Sequence, residues 1–299
     1  MSDHVLVTGG TGFIGRILVN RLIRDGYSPL VLSRDPVRAR RLMPGVECIA
    51  SLGDIPPDRP ITAMINLAGA SVAGHLWTAR YKEILHRSRI ETTSALVAWT
   101  ATRRQPPKVL ISASAIGFYG DCGEKTLTEA SAPGKDFGAQ LCLDWEEAAL
   151  VIETLGVRLV RLRIGLVLGD SGGLLRAMLR PLLLGLGCVM GTGRQWMSWI
   201  HMDDLIELIL TSLRNPAMTG AYNATAPCPY TQEEFIRALG RVWRRPVLLR
   251  VPAWPIRRLL GEMSEIFLEG QKVLPQRALS EGFNFAFPSL QEALEDIHG

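Results

Sequence analysis

Long apolar segments are absent from this 299-residue sequence, and their absence bears first on where the protein works. The most apolar stretch, residues 174–189, is interrupted by two arginines and by Pro181, whereas a membrane-spanning helix needs about 20 consecutive apolar residues. Residues 1–4 lead directly into an apolar run, without the basic head and the small-residue cleavage site of a signal peptide. We therefore expect no membrane span and a cytoplasmic location.

Cysteine pairs and a strong charge imbalance are also missing. The five cysteines are scattered and none stands in a C-x-x-C pair, so neither a disulfide framework nor a zinc site is indicated. With 33 basic against 29 acidic residues the net charge is only +4, which is too mild for a general nucleic-acid binder. We expect no metal ion, no membrane and no nucleic acid among its partners.

The clearest motif present is a glycine-rich turn near the start of the chain. Residues 5–7 form a short apolar run of the kind buried on both faces of a parallel sheet, and the turn follows directly. Gly10, Gly12 and Gly15 satisfy G-x-G-x-x-G, and Gly9 with the last two satisfies G-x-x-G-x-x-G. Apolar residues at helical spacing come next. Strand, turn and helix thus stand in the order of a dinucleotide-binding unit, in which glycines let a pyrophosphate approach the helix N-terminus.

The end of the second predicted strand indicates which dinucleotide binds. Residues 29–32 are apolar and run into Ser33 and Arg34, at the position where an NAD-binding protein holds an acidic residue against the ribose 2′-hydroxyl. A carboxylate there would repel a 2′-phosphate, whereas a hydroxyl and a guanidinium can hydrogen-bond it. Asp35 is acidic but lies one residue further on. We therefore predict NADP(H) as the cofactor; the alternative is that Arg34 is a solvated loop charge.

Strands and helices continue to alternate after this point. Apolar strands at residues 63–70 and 109–111 both run into small residues, which let a ligand approach the backbone. The pattern predicts an α/β fold, a Rossmann doubly wound parallel sheet over residues 1–226, with substrate-side insertions at about 170–200. Prolines and short segments then predict a smaller C-terminal substrate lobe over 227–299, in which Phe283, Phe285 and Phe287 alternate as in an edge strand.

Motifs along the whole chain point to one family. Besides the glycine turn, the chain carries Asn66-Leu67-Ala68-Gly69, Ser112-Ala113-Ser114 before Tyr119-Gly120, and Arg163-x-Gly165-x-Val167-Leu168-Gly169. These resemble the extended short-chain dehydrogenase/reductases, the sugar-nucleotide epimerases and dehydratases. Longer stretches are similar to an atypical group, the epimerase family proteins, which carry a family-specific C-terminal segment: Ser88-Arg89-x-x-Thr92-Thr93, Leu141-Cys142-x-x-Trp145-Glu146, Gly191-x-Gly193-x-Gln195-x-x-x-Trp199-Ile200-His201-x-Asp203-Asp204, and Leu268-x-Gly270-Gln271-x-Val273-x-Pro275.

The resemblance implies a role for individual residues. Ser114 matches the serine that hydrogen-bonds the reacting oxygen, although a turn serine bonding local backbone is the alternative. Arg89 would reach the cofactor from its helix, or else be a solvated helix residue. The full set of implied cofactor contacts is Gly9, Thr11, Gly12, Phe13, Ile14 and Gly15 at the pyrophosphate, Ser33 and Arg34 at the 2′-phosphate, Leu67 and Ala68 beside the adenosine, Arg89, and Val167 near the nicotinamide.

One departure from the family pattern concerns the chemistry. Catalytically competent members carry a Tyr-x-x-x-Lys pair after the serine loop, often four residues before a glutamate. Counting back from Glu146 gives Cys142 and Gly138, and counting back from Glu147 gives Leu143 and Ala139, so neither choice supplies the pair. A tyrosine, with a pKa near ~10, needs a cationic partner to exchange protons at neutral pH. Tyr119 is the nearest phenol and our candidate proton donor beside Ser114, with packing of its ring as the alternative. Lys135, His201 and water are the other candidates.

Two functions therefore remain open from the sequence. The first is an NADP(H)-dependent oxidoreductase or epimerase-like enzyme that acts on a small polar substrate. The second is a non-catalytic NADP(H)-binding or redox-sensing protein that keeps the cofactor site and has lost the chemistry. Fold analogy does not choose between them. We expect a small-molecule substrate as partner and keep a homodimer as an open alternative.

Overall fold

The computed structural model describes residues 3–170 and 172–299, and the elements below belong to that part of the chain. Segment 1–4, where no signal peptide is expected, and the 170–200 insertion are therefore described only in part. The strands are β1 His4–Thr8, β2 Ser28–Leu32, β3 Glu47–Ile49, β4 Ala63–Asn66, β5 Val109–Ala115, β6 Thr126–Leu127, β7 Arg158–Ile164, β8 Leu166–Leu168, β9 Cys188–Met190, β10 Trp196–Met197, β11 Trp199–His201, β12 Gly220–Ala224, β13 Tyr230–Thr231, β14 Leu249–Val251 and β15 Lys272–Val273.

Helices connect and cover these strands. The α-helices are α1 Phe13–Arg24, α2 Pro36–Leu42, α3 Ala79–Ala101, α4 Phe137–Leu150, α5 Gly173–Leu183, α6 Met202–Arg214, α7 Gln232–Val242, α8 Ala253–Leu260, α9 Glu265–Leu268, α10 Gln276–Ser280 and α11 Leu290–His298. Short 3-10 helices cover Leu52–Asp54, Ile116–Tyr119, Val151–Leu155 and Gly261–Ser264.

The central sheet has seven strands in the order β12-β7-β5-β4-β1-β2-β3, and every pair of neighbours is parallel. The strand order reverses between β1 and β4, because β2 and β3 lie on one side of β1 while β4, β5 and β7 lie on the other. Ligands of such sheets bind outside the carboxyl ends of the strands at this reversal point. The predicted Rossmann doubly wound fold is confirmed.

The short apolar strands are explained by burial on both faces of the sheet. Successive side chains of a strand point to opposite faces. Accordingly Val5 and Val7 belong to a core cluster that includes residues of α1, α2 and α6, whereas Leu6 belongs to a second cluster that includes residues of α3. A continuous apolar run is what such a strand requires, and the same rule accounts for β2, β4 and β5.

A shared hydrophobic core and two pairs of short parallel strands join the C-terminal segment to the rest of the chain. A third cluster contains Leu175 and Trp199 from the first 226 residues together with Phe235 and Leu294 from the remainder. β15 pairs in parallel with β6, and β14 with β9. The third cluster thus contains residues from both sides of position 226/227. The domain boundary at that position stays a prediction.

The edge strand predicted from the alternating phenylalanines is wrong. Residues 283–287 are irregular, and the N–H groups of Ala286 and Phe287 are bound by the buried carboxylate of Asp204 at 2.7 and 3.1 Å. The alternation reflects packing of Phe283 and Phe285 on the first core cluster, and not a ladder of backbone hydrogen bonds.

No helix in the described part of the chain is long and apolar enough to cross a membrane. The cytoplasmic location stays a prediction.

Candidate functional site

The glycine turn lies where β1 meets α1, and its glycines have different reasons to be glycine. Gly9 has a φ of +69°, and a Cβ on it would lie 2.5 Å from the carbonyl oxygen of Leu67. A Cβ on Gly15 would collide with the Gly9 carbonyl and lie 2.7 Å from the Cα of Gly10. A Cβ on Gly12, in contrast, would meet only the Gly9 oxygen, at 3.2 Å, among the described residues. Gly12 therefore borders open space, as a residue beneath a pyrophosphate must.

The N-terminus of α1 also lacks a side chain that would cap it or neutralise its partial positive charge. Its N-cap residue is Gly12, which offers no side-chain acceptor, and no acidic residue stands in the first turn. The amides of the first turn, including those of Phe13 and Ile14, thus lack the carboxylate or hydroxyl that caps α2, α3 and α4. Uncapped N–H groups at a positive helix end favour an anion. Thr11 lies in the same turn, at the position that the sequence predicted.

The Phe13 side chain has a packing role that the sequence did not reveal. Its ring lies against the segment before and at the start of α5, where a Cβ on Gly172 or Gly173 would come within 2.8 or 2.9 Å of ring carbons. The glycine turn is thereby joined to the substrate-side insertion. Val167 lies in the same region, 9% exposed, on the short strand β8 that follows the carboxyl end of β7.

After β2, the acidic side chain of Asp35 is bound by its own helix, whereas the basic side chain of Arg34 is bound by no described residue. The Asp35 carboxylate accepts the N–H of Arg38 at 2.9 Å and so caps α2. Among the described residues, the Ser33 hydroxyl makes only local hydrogen bonds, with backbone atoms of Asp35. Arg34 is exposed, and within residues 3–170 and 172–299 its guanidinium has no hydrogen-bond or ion-pair partner. The carboxylate is therefore occupied, while the guanidinium remains free to bind an external anion.

The loop after β4 is held against the glycine turn, at the point where the strand order reverses. The Leu67 N–H donates to the Thr8 carbonyl at 3.2 Å, and the amide of Ala68 lies beside Gly9. Arg89 donates to the Ala70 carbonyl at 3.0 Å, and its guanidinium lies 5.2 Å from the centre of the Trp145 ring. Burial lowers the pKa of Arg89. Arg89 is thus not the solvated helix residue of the alternative interpretation, and it fixes this loop; its contact with a cofactor stays a prediction.

Ser114 lies near the carboxyl end of β5 and is 3% exposed. No hydrogen bond of ordinary geometry joins its hydroxyl oxygen to a described residue, which excludes the alternative of a turn serine bonded to local backbone; the thiol of Cys142 beside it is a weak partner. Leaving a buried hydroxyl unpaired costs about 1–3 kcal/mol, so a group in this condition indicates a missing partner. The neighbouring side chain is Cys142, and burial raises the pKa of its thiol to about 11. A neutral thiol therefore stands beside Ser114, at one of the two positions where the count from the glutamates would place a lysine.

Tyr119 is held in a buried hydrogen-bond network. Its ring is 1% exposed, its O–H donates to the amide oxygen of Asn223 at 2.6 Å, and its oxygen accepts from Arg163 at 3.0 Å. Burial raises the pKa of the phenol, an effect that the nearby Arg163 only partly offsets. This geometry favours the structural alternative over the proton-donor role predicted for Tyr119.

The ion pair at the centre of this network escaped the sequence analysis. Arg163 donates to both oxygens of Glu146, at 2.8 and 3.0 Å, and Arg161 adds a third hydrogen bond at 3.0 Å. Burial alone would lower the pKa of Arg163, but its hydrogen bonds with Glu146 raise it. A usable signal was present, because Arg161 and Arg163 interrupt the apolar run of a central strand, and buried charges need partners.

His201, the other candidate donor with a perturbed environment, faces the C-terminal helix. Its Nδ1 accepts the Asp203 N–H at 3.3 Å, its Nε2 lies 3.4 Å from Asp296, and its ring stacks on Phe287 with centroids 3.9 Å apart. Burial lowers the pKa of this histidine, so the ring is neutral at physiological pH. These contacts give it a structural role. Lys135 is exposed.

Comparison with known sequences finds matches over nearly the whole chain. The sequence profile of the NAD dependent epimerase/dehydratase family matches residues 5–224, and that of a domain of unknown function matches residues 251–297. A chloroplastic SDR39U1 homolog of Arabidopsis thaliana, an epimerase family protein, is 40% identical over 300 residues, which cover 98% of this chain and 86% of that protein. The epimerase family protein YfhF of Bacillus subtilis is 37% identical, with coverage of 98% and 97%.

Solved structures agree with these sequence matches. The human epimerase family protein SDR39U1, crystallised with NADPH, superimposes with a TM-score of 0.89 at 31% identity and covers 99% of each chain. A nucleoside-diphosphate sugar epimerase of Corynebacterium glutamicum superimposes with a TM-score of 0.78 at 27% identity, covering 100% of this chain and 59% of that one.

Proposed function

Because the chain belongs to the NAD dependent epimerase/dehydratase family, we propose that it is an NADP(H)-binding, epimerase-like oxidoreductase that acts on a small polar substrate. Membership confirms the resemblance predicted from the motifs. The observation that carries the proposal is the pairing of an uncapped α1 N-terminus beside Gly12 with an unpartnered Arg34 at the end of β2. The first suits a pyrophosphate and the second a 2′-phosphate.

The residues present fit NADP(H) better than NAD. The one acidic side chain near the ribose position, Asp35, is used to cap α2 and is not available to a 2′-hydroxyl. In the proposed complex the amides of the turn at Thr11–Ile14 hold the pyrophosphate, while Ser33 and Arg34 hold the 2′-phosphate. When bound, the nicotinamide would supply or accept a hydride. The NADPH complex of the human relative supports this assignment.

Ser114 is the residue that we assign to the chemistry. Its hydroxyl, which has only the Cys142 thiol as a weak partner among the described residues, donates a hydrogen bond to the reacting oxygen of the substrate and stabilises negative charge there as a carbonyl is reduced or an alcohol is deprotonated. Cys142 keeps its proton and does not supply the positive charge that a lysine would. The proton must then come from an exposed group or from water, because the Tyr119 hydroxyl is bound on both sides.

One observation favours the second function, a non-catalytic NADP(H) binder or redox sensor. It is that the side chain beside Ser114 is a neutral, buried thiol and not a cation. In that case the cofactor site persists, and no substrate is turned over.

The proposed function is tested by calorimetry followed by a substrate screen. NADPH should bind at least about tenfold more tightly than NADH, a difference of about 1.4 kcal/mol. The NADPH-loaded protein is then screened against carbonyl compounds and nucleotide sugars by following loss of NADPH absorbance. Tight binding with turnover supports the enzyme, and tight binding without turnover of any compound supports the sensor. Equal affinity for the two cofactors contradicts the proposed cofactor site.

A further inference from the structure

A second basic site lies outside the dinucleotide cleft, at the C-terminal end of α7. A pocket of about 340 Å³ opens to solvent there, and neither proposed function uses it. Its lining consists of Arg237, Gly240, Arg241, Arg244, Arg245, Pro246 and Val247. Four of these seven residues are arginines, and none of the seven is acidic.

The backbone brings these arginines together by an unusual turn. The Arg245 N–H donates to the Gly240 carbonyl at 2.8 Å, and the Arg244 N–H donates to the Arg241 carbonyl at 3.2 Å, which is the paired bonding that closes many helix ends. The left-handed residue of that motif is usually glycine. Here it is Arg244, with a φ of +51°, the sole non-glycine residue with positive φ in the described chain. A side chain in this conformation costs about 1–2 kcal/mol, so the arginine is kept at the expense of backbone strain.

Three of the four guanidinium groups have no counter-charge. Arg237 forms an ion pair with Glu233 at 2.8 Å. Within residues 3–170 and 172–299, however, the side chains of Arg241, Arg244 and Arg245 have neither a hydrogen bond nor an ion-pair partner. A helix C-terminus attracts cations weakly, by about 0.3–1 kcal/mol, but here the last carbonyls are already bound by backbone N–H groups. The three free guanidinium groups are therefore available to one external anion.

Exposed leucines lie in the segments that adjoin the pocket, and we call them its leucine rim. The loop after α5 lies against its wall, because a Cβ on Gly187 would lie 3.4 Å from the Val247 side chain and 3.6 Å from the Pro246 oxygen. This loop exposes Leu184 and Leu186, which are 77% and 54% accessible, and Leu248 beside the pocket is 84% accessible. An anion held at the arginines would therefore have exposed leucines in the two adjoining segments.

We propose that this pocket binds a phosphate-bearing anion through Arg241, Arg244 and Arg245. Guanidinium groups bind phosphate with parallel N–H donors, and three of them match a ligand with more than one phosphate group. The same chemistry is offered by a soluble pyrophosphate compound and by the headgroup of an anionic lipid, for which the leucine rim would provide apolar contact.

The test uses the full-length protein and two probes, inorganic pyrophosphate and vesicles of phosphatidylglycerol mixed with phosphatidylcholine. Calorimetry compares wild type with the double variant Arg241→Glu/Arg245→Glu, and Arg104→Glu is the matched control, an exposed arginine outside the pocket. The glycine turn is unchanged in all three proteins, so its own affinity for pyrophosphate cancels in the comparison. The double variant should bind at least one probe at least about tenfold more weakly than wild type and the control do, since each lost charge-assisted hydrogen bond is worth about that factor.

Arg244→Gly separates ligand binding from stability. Glycine suits the positive φ, so the melting temperature should stay unchanged or rise, while affinity for the bound probe should fall about tenfold. The variant Leu184→Ser/Leu248→Ser identifies the source of the phosphate. If wild type binds vesicles and this variant loses only that binding, the source is a lipid headgroup; if wild type itself binds pyrophosphate but no vesicles, the ligand is soluble. The proposal is overturned if the double variant binds both probes as wild type does, or if only a single-stranded oligonucleotide binds and pyrophosphate does not displace it.

Discussion

Arg163 donates a hydrogen bond to the phenol oxygen of Tyr119 across 3.0 Å of the protein interior. Because the phenol in turn donates to Asn223, both of its hydrogen-bonding directions are used, and the ring is closed off from solvent. A catalytic tyrosine must instead present its O–H to a substrate. The geometry therefore disfavours Tyr119 as the proton donor and favours another group in that role.

Tyr119→Phe should therefore act on stability more than on turnover. Removing the hydroxyl leaves Asn223 and Arg163 each without one buried partner, which costs about 1–3 kcal/mol. Chemical denaturation measures that loss, and NADPH affinity should stay within about twofold of wild type because the phenol is remote from the glycine turn. A variant that unfolds like wild type but has lost turnover would restore Tyr119 as the proton donor.

Ser114→Ala should act in the opposite way. Among the described residues the hydroxyl has only the Cys142 thiol as a weak partner, so stability should change little, whereas the loss of a hydrogen bond to a developing oxyanion costs about 3 kcal/mol, or roughly a hundredfold in kcat. Ser112→Ala on the same strand is the control, because the Ser112 hydroxyl is hydrogen-bonded within the protein. Steady-state kinetics on a substrate found in the screen measures both. Equal kcat values for Ser114→Ala and wild type would remove Ser114 from the chemistry.

Arg34→Asp should reverse the cofactor preference. The substitution exchanges a phosphate partner for an acceptor of the ribose 2′-hydroxyl, so NADPH affinity should fall at least about tenfold while NADH affinity rises. Arg41→Asp, an exposed arginine at the last position but one of α2, carries the same charge change outside the proposed site. Calorimetry with both cofactors distinguishes the two. A similar loss in both variants would point to general electrostatic attraction and not to a contact with Arg34.

Gly12→Val should abolish cofactor binding and leave the fold intact. A side chain at Gly12 meets almost no protein atoms, yet it would occupy the space that the pyrophosphate needs. Gly15→Val provides the contrast, because a side chain there collides with the turn itself and should unfold the N-terminal unit. Circular dichroism and NADPH titration separate these outcomes. Normal NADPH binding by Gly12→Val would place the phosphate site elsewhere.

Stability should decline as the solution is acidified, in part through His201. Burial holds the pKa of this histidine below its ordinary value of 6.5, so the unfolded chain takes up a proton at a higher pH than the folded protein does. The contribution of the neutral ring to the free energy of unfolding is fully present above pH 6.5. It is lost as the pH falls toward the lowered pKa. Asp203, Asp204 and Asp296 surround the ring and partly oppose this shift.

His201→Gln isolates the effect. The variant keeps all three carboxylates, including Asp204, whose pKa burial raises, so any difference in pH dependence between the two proteins belongs to the histidine. Melting temperatures between pH 8 and pH 5 should fall more steeply for wild type than for the variant. Parallel curves would mean that His201 does not titrate in this range.

Local patterns in the sequence were sufficient for the sheet and for the glycine turn between β1 and α1. The glycine turn, the apolar strands and Arg34 are defined by neighbours within a few positions, and their placement follows from strand order. Sequence could not show that Asp35 caps α2 and leaves Arg34 free, because several conformations of the turn fit the same residues. Nor could it place Tyr119, whose partner Asn223 lies 104 residues away. Contacts of that length depend on the assembled fold and leave no periodic trace.

The hydrogen bonds that the Asp204 carboxylate accepts from the N–H groups of Ala286 and Phe287 also constrain the order in which the chain folds. The two ends of this contact are separated by more than 80 positions, and the third core cluster likewise waits for Leu290 and Leu294. On the ribosome the glycine turn and the first strands can form early, while α6 keeps a buried acid without its partners until the later residues have been synthesised. Such distant contacts form slowly. We therefore expect the last folding phase to report on the contact between Asp204 and residues 286–287. We also expect the nascent chain to need protection until that contact forms.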